Sequence, residues 1–166
     1  LSAGNGASMR AGVVGAYFHD RPEARRAFGR ALAEVTHRDP RAVEGALYVA
    51  ELTAACVRDG GSASPFSLQG EARRIVSHPE LGAAIDRGRT LAQERTPLDV
   101  AAQACGTSGY VVHTLAFATY VFLRPGDDLA TKLCDAIAVG GDTDSIGAIL
   151  GGWLGARLGA SALPLE

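Results

Sequence analysis

Two carboxylates stand two residues apart in Gly140-Gly141-Asp142-Thr143-Asp144-Ser145, behind paired glycines and ahead of a hydroxyl. Asp142, Asp144 and Ser145 all offer oxygen, the donor that hard divalent cations such as Mg²⁺ and Mn²⁺ prefer. An apolar helix is expected to begin at once, with Ile146-Gly147-Ala148-Ile149-Leu150. The start of a helix supplies free N–H groups and a positive dipole end, which steady nearby carboxylates. The plainer alternative is that Asp142 or Thr143 only caps that helix.

Two more glycine turns have comparable chemistry. Gly4-Asn5-Gly6-Ala7-Ser8 precedes a helix expected over Met9–Phe18. Such a turn aims several backbone N–H groups at one point and suits an anion. It is not a P-loop, because no Gly-Lys-Ser/Thr follows, and no strand precedes it as a dinucleotide fingerprint requires. Gly106-Thr107-Ser108-Gly109 leads into Tyr110, an aromatic face beside polar backbone. A fourth polar segment is Thr36-His37-Arg38-Asp39. Metal ligands, anion donors and an aromatic ring together would suit a nucleotide-like ligand held near metal ions.

The elements that must position these turns read as helices. Pro22 fits a first helical position, and Ala24, Phe28, Ala31, Leu32 and Val35 then keep helical spacing. Asp39 reads as an N-cap and Pro40 as the first residue of a long helix carrying Val43, Leu47, Ala50, Ala54 and Val57. Residues 59–65 form the clearest loop. Shorter helices are expected over Phe66–Val76, over Pro79–Arg89 and from Pro97 to Cys105. Val111, Leu115, Ala118 and Phe122 share a stripe, as do Leu129, Leu133 and Ile137. The last helix carries Ile146, Ile149, Leu150, Trp153, Leu154 and Leu158. Its Gly151, Gly152 and Gly155 each cost about 0.5–1 kcal/mol relative to Ala, so close neighbours are expected around it. No alternating run suits a sheet, and the reading is all-α with eight or nine helices.

The chain has 166 residues, of which 47% are hydrophobic, 20% charged and 6% aromatic. That is enough for one domain with a core. A net charge of −2 gives no general affinity for nucleic acid. Cys56, Cys105 and Cys134, odd in number and set in apolar sequence, read as buried thiols of a reducing, cytoplasmic compartment. No apolar run is long enough to span a membrane, and no signal peptide is evident. The sequence begins at Leu1 without an initiating Met, which leads us to expect a fragment of a longer product.

Four segments carry a family resemblance. Gly4-Asn5-Gly6-Ala7-Ser8-Met9-Arg10 resembles the Gly-Asn-Gly-x-x-Met-Arg segment of the ADP-ribosylglycohydrolase family. Thr36-His37-Arg38-Asp39-Pro40-Arg41-Ala42 is similar to its Thr-His segment. Gly106 to Tyr110, running into Thr114-Leu115, resembles its ligand loop. Gly-Gly-Asp-Thr-Asp-Ser-Ile resembles its most diagnostic motif. All four stand in the family's order and span nearly the whole chain. The family includes the glycohydrolase that reactivates dinitrogenase reductase, and also some lens crystallins.

The resemblance implies an orthogonal all-α bundle whose amino-terminal part is missing, so that residues 1–166 are the carboxy-terminal portion of one domain. It implies two Mg²⁺ or Mn²⁺ ions and removal of ADP-ribose from a modified protein side chain or small acceptor, in a monomer. Carried over by position, Asp142, Asp144 and Ser145 match metal ligands, the two aspartates also matching catalytic positions. Gly4, Asn5 and Gly6 match the ADP-ribose cradle. His37 matches a residue near the diphosphate or ribose, and Gly109 and Tyr110 match positions beside the ligand, with base stacking as the role of the ring. Two departures stand out. The family's amino-terminal Thr-Asp-Asp metal motif has no counterpart here; the only adjacent aspartate pair, Asp127-Asp128, follows Gly126. His113 stands where an acidic residue is common. The fragment alone is therefore expected to be inactive, and the alternative is a non-catalytic, ADP-ribose-binding or crystallin-like structural member.

Overall fold

The computed structural model describes residues 3–126 and 128–162, so Asp127 lies outside the described residues. Among the described residues ten α-helices follow one another: α1 (Gly6–Met9), α2 (Gly12–Tyr17), α3 (Pro22–Glu34), α4 (Pro40–Asp59), α5 (Pro65–Arg73), α6 (Pro79–Gln93), α7 (Leu98–Cys105), α8 (Val111–Leu123), α9 (Leu129–Ala138) and α10 (Thr143–Leu158). A 3₁₀ turn over Ala160–Ala162 follows. Among the described residues there is no strand, only an isolated bridge between Gly4 and Tyr110.

Local chemistry sets most boundaries. Pro22, Pro40, Pro65 and Pro79 each occupy a first-turn position, where the missing N–H costs nothing. Asp39 accepts from the Arg41 N–H at 3.0 Å, and Ser64 from the Phe66 N–H at 3.2 Å. α4 closes on Gly60, whose φ of 60° is the left-handed cap glycine tolerates best.

The core forms around α4, α8 and α10. From Ala42 to Cys56 only Glu44 of α4 escapes burial, and His113 is the one unburied residue of α8. Phe117, Phe122, Leu115 and Leu150 are fully buried, each contributing about 1.5–3 kcal/mol of transfer free energy. Trp153 ties α10 to both neighbours: its indole N–H donates to the Val49 carbonyl at 3.2 Å, and its ring meets Tyr48 and Phe122 edge-on. α6 lies against α8 so closely that a Cβ at Gly88 would sit 2.1 Å from the Ala116 carbonyl oxygen. The buried Arg25 guanidinium meets Glu51 at 2.7 Å and joins α3 to α4.

Four expectations change. The helix expected over Met9–Phe18 is two short helices. The chain turns at Arg10, whose guanidinium bonds the carbonyls of Gly6 and Leu32 and the Thr36 hydroxyl. That split raises the helix count above eight or nine, and α6 runs on to Gln93 while α5 stops at Arg73. Cys56 and Cys105 are buried, but Cys134 is exposed on the outer side of α9. The glycines of α10 do not have the close neighbours expected: a Cβ at Gly147, Gly151, Gly152 or Gly155 would meet nothing within 4 Å.

Candidate functional site

The three glycine turns meet at one place. The Asn5 N–H donates to the Gly109 carbonyl at 3.0 Å, and the Val111 N–H to the Ala3 carbonyl at 2.9 Å. This pairs the Gly4 segment with the Gly106–Tyr110 loop. The Asp142 N–H donates to the Thr107 carbonyl at 2.7 Å, which fixes the third turn to the same loop. Glycine is required at Gly141: its φ is 87°, and a Cβ there would sit 2.3 Å from the Thr107 carbonyl oxygen.

Asn5 is the side chain at the junction. It is buried, and its amide donates to the Thr114 hydroxyl at 2.9 Å and to the Asp142 carboxylate at 2.5 Å. The Thr114 hydroxyl in turn donates to the Ser108 carbonyl at 3.0 Å. A Cβ at Gly109 would lie 3.2 Å from the same Asp142 carboxylate, so any side chain there would crowd that carboxylate. Burial by itself would raise the Asp142 carboxyl; the Asn5 hydrogen bond leads the contacts that outweigh it and hold the group below its ordinary value. Asp144 is exposed in the first turn of α10, and Ser145 is buried with its hydroxyl 3.8 Å from the Met9 sulfur. Asp142 occupies the N-cap position, yet its side chain makes no capping hydrogen bond. The carboxylate is turned toward Asn5 instead.

His37 borders the cradle from the α3–α4 corner. A Cβ at Gly6 would lie 3.3 Å from its ring, and its Nδ1 is hydrogen-bonded to the Thr36 hydroxyl at 2.8 Å. Tyr110 is held by its phenol, which donates to Glu80 and accepts from Arg41 at 2.7 Å. Arg41 also grips Asp39 at 2.8 Å and Glu80 at 2.9 Å, and its guanidinium lies 5.5 Å over the Tyr110 ring. The Arg41 hydrogen bond brings the Asp39 carboxyl down to about 2, while burial and the Glu80 contact push the Tyr110 phenol up. His113 lies under Gly106 with its Nδ1 2.9 Å from the Ser108 hydroxyl. Gly4, Asn5, Gly6, His37, Gly109, Tyr110 and Asp142 thus form one contiguous cluster, with Asp144 and Ser145 following Asp142 in the first turn of α10. Glu80 is a member that no motif contained, and Arg41, although it lies in the Thr36–Ala42 segment, had no role assigned from the sequence.

The 166 residues match, from end to end, the family model described as ADP-ribosylglycohydrolase. The chain belongs to the ADP-ribosylglycohydrolase family. It is 30% identical over 152 residues to an uncharacterised protein of Archaeoglobus fulgidus, covering 92% of this chain and 48% of that protein. A solved structure described as an ADP-ribosylglycohydrolase-related protein complex superposes with a TM-score of 0.77 at 30% identity, covering 99% of this chain and 53% of its counterpart. The chain therefore spans about half the length of these relatives. The all-α fold expected of the family is the fold observed.

The family is generally metal-dependent, so the donor set can be tested against an ion. Asp142, Asp144 and Ser145 are of the right oxygen type. Among the described residues, however, no three His, Cys, Asp or Glu side chains come together as a metal cluster. Two carboxylates and a hydroxyl cannot complete two octahedral shells. These residues by themselves do not make a dinuclear centre. Among the described residues, no helix is long and apolar enough to cross a membrane.

Proposed function

We propose that the protein to which these residues belong hydrolyses the C1″ glycosidic bond that joins ADP-ribose to a protein side chain or small acceptor. The supporting observation is the convergence of the Gly4–Gly6, Gly106–Tyr110 and Gly140–Asp142 turns through the Asn5 side chain, across more than a hundred residues of sequence. In this reading the backbone around Gly4 and Gly6 cradles the diphosphate, with His37 alongside. Tyr110 offers its ring to the base, its phenol being held by Glu80 and Arg41. Asp142 and Asp144 with Ser145 would contribute one side of a Mg²⁺ or Mn²⁺ site, its other donors coming from residues outside this chain. Bound metal would supply Lewis acidity at the ribose and the leaving group.

Titrating ADP-ribose into the protein with Mg²⁺, by calorimetry, tests the ligand. Saturable binding is expected, and no binding overturns the reading. The incomplete donor set favours a second reading, in which the fold binds ADP-ribose or serves structure without catalysis. Saturable binding with no release of ADP-ribose from modified arginine, serine or nucleic-acid substrates would select it.

A further inference from the structure

α6 ends in a backbone conformation that its sequence does not favour. The Thr96 N–H donates to the Leu91 carbonyl at 3.0 Å and the Arg95 N–H to the Ala92 carbonyl at 3.2 Å, the pair of bonds that closes a helix on a left-handed residue. That residue is Arg95, with φ at 54°. α4 closes on Gly60 in the same left-handed region, which glycine enters without steric cost. Among the described residues Arg95 is the one non-glycine with a positive φ. Backbone strain of this kind gathers where a side chain serves a site.

Arg95 lines a cleft of about 530 Å³ with Pro65, Phe66, Arg89, Leu123 and Arg124. A recess of about 270 Å³ continues from it, sharing Arg95 and Arg124 and reaching Tyr120. The Tyr120 phenol donates to the Thr96 carbonyl at 2.6 Å and ties this corner to α8. Among the described residues no carboxylate lines either space. The Arg124 guanidinium meets Asp135 at 2.5 Å. Arg89 meets uncharged acceptors, the Phe66 carbonyl at 2.8 Å and the Gln69 amide oxygen at 2.6 Å. The Arg95 side chain has no hydrogen bond or ion pair among the described residues. Neither Arg89 nor Arg95 caps the end of α8, where the buried Lys132 ammonium already takes the Phe122 carbonyl at 2.7 Å and the Arg124 carbonyl at 2.9 Å. The other arginine-lined cleft, of about 480 Å³, carries its own carboxylates: Arg25 and Arg26 meet Glu51, and Arg58 meets Glu71.

We propose that the cleft at the ends of α6 and α8 binds a small phosphomonoester, with the phosphate on Arg89 and Arg95 and an apolar body against Pro65, Phe66 and Leu123. A phosphate dianion matches two guanidiniums in charge and accepts their paired N–H groups on its oxygens. A carboxylate would meet half of that charge. The volume exceeds what a phosphate fills, and the remaining walls are largely apolar. The thirteen residues of α8 separate this cleft from Tyr110, about 20 Å at 1.5 Å per residue. The phosphomonoester is therefore a second ligand, and its binding does not depend on the hydrolysis proposed above.

The test titrates phenyl phosphate into the full gene product by calorimetry, against inorganic phosphate and again with excess ADP-ribose present. Saturable binding is expected at about 1 mM or tighter. It should be at least about tenfold stronger than that of inorganic phosphate and unchanged by ADP-ribose. Arg95→Gly should weaken it at least about tenfold while the melting temperature holds or rises, because glycine relieves the left-handed backbone. Arg74→Ala, which removes an exposed arginine of the other cleft, should leave the affinity as it is. No saturable binding, or wild-type affinity in Arg95→Gly, overturns the proposal. So does a melting temperature that falls in Arg95→Gly, which would make Arg95 part of the fold. An equal loss in Arg74→Ala overturns it as a general charge effect, and competition by ADP-ribose overturns it by moving the probe to the candidate site. Equal affinity for inorganic phosphate overturns the apolar half of the assignment.

Discussion

Asp39 and Asp142 each stand just before a long helix, and they are used in opposite ways. Asp39 caps α4 through the Arg41 N–H and takes the Arg41 guanidinium on both oxygens. Its charge is answered within the chain. Asp142 makes no capping hydrogen bond of ordinary geometry, takes uncharged donors with the Asn5 amide foremost and Ser145 beside it, and, like Asp144, forms no ion pair among the described residues. A helix cap with its own cation is finished structure. The Asp142 carboxylate, held by uncharged donors, has no counter-charge among the described residues. Helix-start aspartates thus divide by whether the fold supplies their counter-charge.

Substitutions can break or sharpen that contrast. The largest effect is expected at the second site. Asp142→Asn and Asp144→Asn in the full gene product should weaken Mn²⁺ binding by more than about a hundredfold. The melting temperature should stay nearly unchanged. Calorimetry and thermal unfolding check the two halves of that statement, and a large fall in stability with unaltered Mn²⁺ affinity would reverse the assignment. Asp39→Ala should behave the other way, costing about 1–2 kcal/mol of stability as a lost cap and an orphaned Arg41, measured by denaturant unfolding.

The pH dependence of stability follows from the same residue. The Asp39 carboxyl falls from 3.8 to about 2 on folding, so its contribution is complete above pH 3.8 and is lost as pH falls through about 2. Acid unfolding of Asp39→Ala should therefore lack that part of the wild-type slope. The smallest effect is expected from Gly6→Ala, whose methyl group would crowd the His37 ring at 3.3 Å. ADP-ribose affinity should fall only a few-fold, by about 1 kcal/mol or less, with the fold intact.

Much of this architecture is legible in the chain. Asp39-Pro40 announces α4, the stripe from Val111 to Phe122 announces α8, and three glycine turns mark where the chain must pass close to itself. Asn5, Gly109 and Asp142 were singled out by sequence and do converge. The failures have physical causes. At the break between α1 and α2, Arg10 reaches a carbonyl and a hydroxyl more than twenty residues away, which no local propensity records. Spacing identified the Phe28–Val35 stripe but could not say that Phe28, Leu32 and Val35 stay exposed. Arg41 and Glu80 lie thirty-nine residues apart in unremarkable helix starts, and only the fold brings both to Tyr110. Cys134 reads as apolar context, yet its side of α9 faces out.

The central claim is that Asp142 and Asp144 serve chemistry while Asp39 serves the fold. Its most direct test is the release of ADP-ribose from an ADP-ribosylated substrate by the full gene product and its Asp142→Ala and Asp144→Ala variants. Turnover should drop by more than about a hundredfold in both variants at wild-type stability. Normal turnover in both would contradict the assignment.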